Sequence, residues 1–141
     1  MPEARFVLVE VRQKRAAFLR AALEVLEATD RATVVEARAE LVGRDSRHRE
    51  AADVVVSRSF GSPSVTAECA APLLRRRGLL VVSDPPDGGS ADRWPAASLA
   101  NLGLAVETTV REPALTALRK IGDSPARFPR PVGQPSKRPL W

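Results

Sequence analysis

Short apolar runs alternate along this chain with segments whose apolar residues recur at helical spacing, and no other feature constrains the fold as strongly. The first run covers residues 6–9 and ends at Glu10. From Gln13 to about Ala28, apolar residues then recur every three or four positions, which is typical of a helix with one buried face. Repeated strand–helix units of this kind predict an α/β fold on a parallel sheet, with helices on both faces.

Two more helices are predicted farther along. Pro63 suits the first turn of a helix that runs to about Arg76, and Gly78 follows as a stop signal. A shorter helix is expected from about Ala91 to Leu102.

The other predicted strands are short and apolar, as buried strands of parallel sheets usually are. They cover residues 32–36, 53–57 and 79–82, and two closing strands, expected to be antiparallel neighbours, cover 104–110 and 114–121. Residues 43–50 and 84–89 are expected to be loops, the first with a helical turn.

The end of the chain differs from the rest in composition. Five of the 12 prolines lie in residues 122–141, so we expect an extended tail there, not a regular helix, packed on or beside a domain formed by residues 1–121.

The net charge of +5 belongs to residues 111–141, because residues 1–110 carry 15 basic and 15 acidic side chains. This concentration predicts a polyanionic partner such as nucleic acid; a solvated tail in an arginine-rich protein is the alternative.

Composition excludes several classes of protein. No apolar run approaches the roughly 20 residues of a membrane helix, so no membrane role is expected. The single cysteine, Cys69, excludes a disulfide framework and a multi-cysteine zinc site, and the single histidine, His48, excludes a two-histidine metal site. We expect a cytoplasmic protein without a metal. Aromatic residues make up only 4%, which argues against a base-stacking platform.

Candidate functional residues lie at the carboxyl ends of the predicted strands, where right-handed crossovers gather the ligand-binding loops. Glu10 ends the first strand, and a carboxylate there can accept hydrogen bonds from a ribose diol; a solvated acid near a helix start is the alternative. Glu40 and the backbone of Ala39 follow the second strand, and Arg58 follows the third. Each of these is also an ordinary loop residue when taken alone.

Other residues are interpreted as structural. Asp84 begins an Asp-Pro-Pro sequence that resembles an amino-methyltransferase motif, but Asp87 stands where that motif has an aromatic residue, so a turn is expected. Cys69 is expected to pack as a small apolar residue, and His48 to be exposed. No serine or cysteine has the context of a catalytic nucleophile, and no glycine-rich phosphate loop is present, so no catalytic residue is assigned.

Two segments together resemble one known family. Residues 6–20, FVLVEVRQKRAAFLR, resemble the second strand and following helix of the bacterial small-subunit rRNA guanine-N7 methyltransferases, the glucose-inhibited division protein B family. Residues 127–140, RFPRPVGQPSKRPL, resemble that family's closing signature. Residues 38–40 and 57–60 fall at positions that the family also uses, and the resemblance covers nearly the whole chain.

The resemblance implies a Rossmann-like class I methyltransferase domain that transfers a methyl group from S-adenosylmethionine to guanine N7 of small-subunit ribosomal RNA. It implies that Glu10 binds the cofactor ribose, that Ala39 and Glu40 border the adenine, and that Arg58 lines the cofactor or substrate mouth. Four basic residues of the tail would approach the RNA: Arg127, Arg130, Lys137 and Arg138.

This chain also departs from the family. The family's first strand, whose glycine-rich turn wraps the methionine end of the cofactor, lies between the strands represented here by residues 6–10 and 53–57, and this chain starts after it. We therefore expect an incomplete sheet, with either unpaired strand edges or two strands forced together. We also expect weak cofactor binding by this chain alone, whose N-terminal part is either missing or encoded separately.

Two alternatives remain open at this point. The chain is a non-catalytic remnant that keeps RNA or ribosome contacts through its tail, or it is a methyltransferase of a different, small-molecule substrate.

Overall fold

The structure is a computed structural model that describes residues 3–87 and 90–141, apart from the side chain of Ala91. Six strands are present: β1 (Phe6–Val9), β2 (Ala32–Val35), β3 (Ala52–Ser57), β4 (Leu74–Ser83), β5 (Leu104–Arg111) and β6 (Ala114–Lys120). Five helices accompany them: α1 (Gln13–Val25), α2 (Ala39–Val42), α3 (Pro63–Ala70), α4 (Ala96–Asn101) and α5 (Gln134–Lys137). All six predicted strands are therefore confirmed.

Helix α3 is shorter than predicted, and β4 is correspondingly longer. The helix begins as expected, with Ser62 Oγ capping the N–H of Val65 and Pro63 in the first turn. It ends at Ala70 and passes through a 3₁₀ turn, Ala71–Leu73, because Pro72 cannot continue an α-helix. The expectation of a helix as far as Arg76 is wrong.

Gly78 was expected as a helix stop but lies inside β4. A Cβ there would come within 2.9 Å of the Arg75 carbonyl oxygen and 3.0 Å of the Asp53 carbonyl oxygen. The glycine thus permits close approach of the β3 and β4 backbones at the irregularity in their pairing.

Two other expectations need correction. The helix expected over 91–102 is a 3₁₀ turn, Ala91–Arg93, followed by α4. The tail is not wholly extended, because α5 forms one helical turn with Pro135 in its first turn, where proline is tolerated. The loop predicted over 84–89 is confirmed as far as Asp87, whereas Gly88 and Gly89 lie outside the described residues.

The strands form two separate sheets. In the first, β1 pairs in parallel with β2, so that Phe6 lies opposite Ala32 and Val9 opposite Val35. In the second, the order is β3-β4-β6-β5, with β3 parallel to β4 and the other neighbours antiparallel. The prediction that β5 and β6 are antiparallel neighbours is confirmed.

The main hydrophobic core belongs to the four-stranded sheet. Its buried members lie between Ala67 and Phe128, and the largest apolar ones are Leu74, Leu80, Leu99, Leu102, Leu104 and Leu118. Phe128, only 3% exposed, belongs to the proline-rich tail, so part of that tail completes the core.

The facing edges of the two sheets are open. Among the described residues, β1 pairs only with β2, and β3 pairs on one side only, with β4. Apolar side chains on both strands remain exposed, including Phe6 and Val7 on β1 and Val54 and Val56 on β3, of which Val56 is 75% exposed. Of the two outcomes expected for an incomplete sheet, the structure has unpaired edges.

Candidate functional site

A cleft of about 700 Å³ lies where β1, β2 and β3 end. We call it the β1–β3 cleft. It brings together all four residues predicted to contact a cofactor and several residues that were not predicted. The lining includes Val9, Glu10, Arg12, Ala39, Glu40, Val56, Ser57, Arg58, Cys69 and Ser136. Because Val9 and Val56 line one cavity, the carboxyl ends of β1 and β3 meet at the same side of the molecule.

Glu10 leads from β1 toward α1. Its backbone N–H donates to the Val35 carbonyl oxygen at 3.1 Å, which continues the pairing with β2. Its Oε1 accepts the N–H of Arg12 at 2.8 Å, and Arg12 is the residue that precedes α1. A carboxylate has about four acceptor positions, so this arrangement leaves acceptor capacity within the cleft.

Glu40 lies in the first turn of α2 and is 4% exposed. Its Oε1 accepts the backbone N–H of Gly133 at 3.0 Å and an Nη of Arg38 at 3.3 Å. Burial alone would raise the pKa of Glu40, but the hydrogen bonds from Gly133, its own backbone and Arg38 outweigh that effect and lower the pKa. The carboxylate therefore stays ionised and ties the tail to the wall of the cleft.

Arg58 belongs to a segment, residues 57–61, that lines two cavities at once. The second cavity, about 840 Å³, lies at the ends of β3 and β4 beside the turn between β5 and β6, and we call it the hairpin cleft. Its lining includes Ser57, Arg58, Thr66, Val82, Asp84, Arg93, Arg111, Glu112 and Pro113. Within residues 3–87 and 90–141, Arg58 forms no ion pair.

Asp84 is a structural residue of the hairpin cleft. Its side chain is 2% exposed; Oδ1 accepts from Arg93 Nε at 2.8 Å and Oδ2 from the Thr116 hydroxyl at 2.6 Å. Both carboxylate oxygens are thus occupied by this chain's own donors, which agrees with the prediction that the Asp-Pro-Pro sequence is a turn.

The tail residue Arg130 is bound mainly to a carboxylate of α3. Its Nε and Nη2 donate to the two oxygens of Glu68 at 2.8 and 2.7 Å, and its backbone N–H donates to Glu68 Oε1 at 2.9 Å. Glu68 is fully buried, and the hydrogen bond with its carboxylate is the largest influence that raises the pKa of Arg130. Arg130, predicted to approach RNA, therefore has most of its donors directed into the protein.

The other three predicted RNA-binding residues are exposed. The guanidinium carbon of Arg127 lies 4.8 Å from the centre of the Phe128 ring. Lys137 and Arg138 lie at the end of α5, and neither forms an ion pair in the part of the chain that the structure describes. Ser136, the neighbour of Lys137, lines the β1–β3 cleft, so the segment that carries these two residues borders the cleft.

Two arginines that hold the tail in place were not predicted from the sequence. Arg44 and Arg49, in the segment expected to be a loop, donate to tail carbonyl oxygens: Arg44 Nε to Pro129 and Arg49 Nη1 to Phe128, both at 2.8 Å. Their partners are about 80 positions away in the sequence, and no local pattern signals such a contact.

Lys120, at the end of β6, is 1% exposed and donates through Nζ to the Ala71 carbonyl oxygen at 2.7 Å and to the Ser124 hydroxyl. Burial lowers the pKa of Lys120 to about 8. Its basic character within an apolar strand is a signal that could have marked it as buried and bonded.

Cys69 packs as predicted and is 3% exposed; burial raises the pKa of its thiol to about 12. His48 is partly buried, although exposure was expected.

In the described part of the chain, no group of three or more His, Cys, Asp or Glu residues could hold a metal ion. No described helix is long and apolar enough to cross a membrane.

A family model described as rRNA small subunit methyltransferase G matches residues 1–83. A protein of that name from Roseiflexus sp. (strain RS-1) is 38% identical over 146 residues, which cover 99% of this chain and 62% of the relative. The protein of the same name from Nostoc punctiforme is 33% identical, with 99% and 60% covered. This chain thus spans about three fifths of the length of these relatives.

Solved structures are similar in fold. An O-methyltransferase family protein from Burkholderia thailandensis superposes with a TM-score of 0.54 at 16% identity, covering 86% of this chain and 52% of that one. The antibiotic-resistance methyltransferase Kmr superposes with a TM-score of 0.57 at 12% identity, covering 85% and 87%. At these identities the likeness concerns the fold alone, and it confirms an incomplete, Rossmann-like class I methyltransferase sheet.

Proposed function

Because this chain belongs to the rRNA small subunit methyltransferase G family, we propose that it takes part in methyl transfer from S-adenosylmethionine to guanine N7 of small-subunit ribosomal RNA, in the cytoplasm. The observation that carries this proposal is the β1–β3 cleft, which gathers Glu10, Ala39, Glu40 and Arg58 from three separate strand ends.

The cleft suits such a cofactor in size and chemistry. Its volume of about 700 Å³ lies within the range of cofactor sites. Glu10 offers acceptor positions to the two hydroxyls of a ribose, while Ala39 and the edge of α2 would border the adenine. Glu40 is committed to Gly133 and Arg38, so its part is to hold this wall in place.

When bound, S-adenosylmethionine supplies an electrophilic methyl group on a sulfonium ion. Guanine N7 already presents a lone pair, so no residue of this chain would have to remove a proton before the methyl group is transferred. The residues of this chain then have to align the reactants and exclude water, which is consistent with a site that has no evident general base.

The open edges of β1 and β3 support a further part of the proposal: a polypeptide segment outside this chain adds a strand between them. A central strand of a parallel sheet is buried on both faces, so this strand would be apolar throughout. It would cover the valines now exposed on β3 and supply partners for unpaired backbone groups on both edges.

The test is methyl incorporation into small-subunit RNA from labelled S-adenosylmethionine. We expect little transfer by this chain alone, and transfer when the N-terminal two fifths of the Roseiflexus relative is added as a separate polypeptide. Glu10→Gln should then reduce transfer chiefly by weakening cofactor binding. If the complemented mixture transfers no methyl group, the proposed activity is wrong. If this chain alone binds the cofactor tightly in calorimetry, the expected weak binding by the isolated chain is wrong.

Exposed cations in the tail favour a second candidate function, that of a non-catalytic RNA-binding remnant. For this role we propose Arg127, Lys137 and Arg138, whose cations are exposed, whereas Arg130 positions the tail. Deleting residues 122–141 would also remove the core residue Phe128, so point variants are the sharper test.

The double variant Lys137→Ala/Arg138→Ala should lower RNA affinity and reduce the slope of log affinity against log salt by about 1.4–1.8, as expected for two lost phosphate contacts. Arg31→Ala, an exposed cation before β2, serves as the matched control. RNA binding without methyl transfer in the complemented mixture would favour the non-catalytic remnant. An unchanged salt slope would exclude Lys137 and Arg138 as phosphate contacts.

A further inference from the structure

Helix α1 has two apolar faces, and the fold buries only one of them. On the first face, Ala16 is buried and Leu19 and Leu23 are partly buried, since the helix lies against β2. The second face is formed by residues that lie three, four, seven and eight positions after its first member, and we call it the α1 stripe: Phe18, Ala21, Ala22, Val25 and Leu26.

The α1 stripe is strongly exposed. Phe18 is 71% exposed, Val25 83% and Leu26 71%. Five positions separate Phe18 from Leu23, which is about 140° around a helix, so the stripe points away from β2. A single exposed apolar side chain is ordinary, but a row of them along two turns has the spacing by which one helix packs on another.

The charges of α1 indicate which helix would fit. Lys14 and Arg15 lie in its first turn, which holds no acidic residue, while Glu24 lies in its last turn, which holds no basic one. Glu27 follows the helix. This order opposes the helix dipole, which favours acids at the start and bases at the end. None of these four side chains forms an ion pair within residues 3–87 and 90–141.

An order of charges that is unfavourable within one helix becomes favourable when two such helices lie antiparallel. The basic start of each helix then meets the acidic end of the other, whereas a parallel pair would bring like charges together. Ala21 and Ala22 lie at the middle of the stripe, and their small side chains let two helices approach closely where they cross. The stripe is therefore complementary to itself.

We propose that two copies of this chain pair through the α1 stripe, antiparallel about a two-fold axis beside Ala21 and Ala22. Phe18 of each copy packs against Val25 and Leu26 of the other. Such a contact is closed, because each copy uses the same surface. It is independent of the proposed function, since no residue of the stripe lines either cleft.

The first test is sedimentation equilibrium of the chain as it is, which should show monomers and dimers. Phe18→Asp should raise the dimer dissociation constant about tenfold or more, as for the loss of a central aromatic anchor. Because Phe18 is largely exposed, the variant should keep the circular dichroism of the parent chain. Val56→Asp is the matched control, an equally exposed apolar residue on β3, and should leave the constant unchanged.

Charge reversal tests the complementarity of the two ends. Lys14→Glu/Arg15→Glu makes both ends of the helix acidic, and Glu24→Lys/Glu27→Lys makes both ends basic. Each double variant should dimerise more weakly than the parent chain, because like charges then meet. An equimolar mixture of the two should form a heterodimer, which mass spectrometry under native conditions detects.

Disulfide formation tests the antiparallel arrangement. Ala21→Cys places a thiol beside the two-fold axis and should link two copies under mild oxidation. Lys14→Cys should not, because the two copies of residue 14 lie about 20 Å apart in the antiparallel pair. The native Cys69 is 3% exposed and does not compete.

Several results would overturn the inference. These are a parent chain that is monomeric at every concentration, an unchanged constant in Phe18→Asp, no heterodimer in the mixture, or linkage of Lys14→Cys as fast as of Ala21→Cys. Loss of the dimer in Val56→Asp alone would assign the contact to the open edge of β3. A monomeric parent chain that binds the complementing polypeptide, with Phe18→Asp abolishing that binding, would assign the stripe to that polypeptide.

Discussion

Replacing Arg130 by methionine should destabilise the fold by about 3–5 kcal/mol, because it leaves the carboxylate of Glu68 buried without its counter-charge. Glu68 is 0% exposed, and of its three hydrogen bonds two come from the Arg130 guanidinium. The third, from the Arg130 backbone N–H, survives the substitution but cannot balance a full charge. Since small domains are stable by only about 5–15 kcal/mol, this is a large share of the total.

Urea unfolding monitored by circular dichroism measures the effect. With a slope near 2 kcal/mol per molar, the midpoint should fall by roughly 2 M. Glu68→Gln should cost less, since Arg130 is 21% exposed and its charge can turn toward water. Replacing both residues by methionine should recover part of the loss, because no buried charge then remains.

The matched control is Arg127→Met, an exposed arginine of the same tail that forms no ion pair among the described residues. Its effect should stay below about 1 kcal/mol. If Arg130→Met costs no more than this control, the buried pair does not form and the reasoning fails.

Three further predictions concern buried titratable groups. The pKa of Lys120 is about 8 in the fold against an ordinary 10.5, so the unfolded chain binds more protons between these two pH values. Stability should therefore rise with pH across that window, by up to about 3 kcal/mol. A pH series of urea midpoints should show this rise in the parent chain and not in Lys120→Met. Cys69 has the opposite effect on stability above pH 9, because its folded pKa of about 12 makes stability fall as pH rises further. The reaction of its thiol with a thiol reagent should follow global unfolding. Glu40→Gln should weaken the attachment of Gly133, and limited proteolysis should then cut near residue 133 sooner than in the parent chain.

Local patterns predicted most of the fold. Each apolar run became a strand, since burial and β-propensity act on neighbouring residues in the same direction. The error at α3 was avoidable, because Pro72 stands within the segment predicted as helical. The gap between β1 and β3 could be expected only from the family resemblance, since nothing in the runs themselves states which strands pair.

The candidate site was predicted in part from the same local patterns. Strand ends are visible in the sequence, and the four residues chosen from them line one cleft. The contacts that hold the tail are not visible, because Glu68 and Arg130 are 62 positions apart and look like ordinary surface charges. The unpaired hydroxyl of Ser57 is not visible either, because such a group can be recognised only once its surroundings are known.

The open edges of β1 and β3 also bear on how the protein behaves in concentrated solution. A row of unpaired N–H and C=O groups flanked by exposed valines such as Val54 and Val56 is a template for edge-to-edge association between chains. Without a strand in the gap, the open edges of two copies can hydrogen-bond to each other, and a third copy can still add to such a pair. The side chains that suit an added strand are therefore also those that limit the concentration at which the isolated chain stays monomeric.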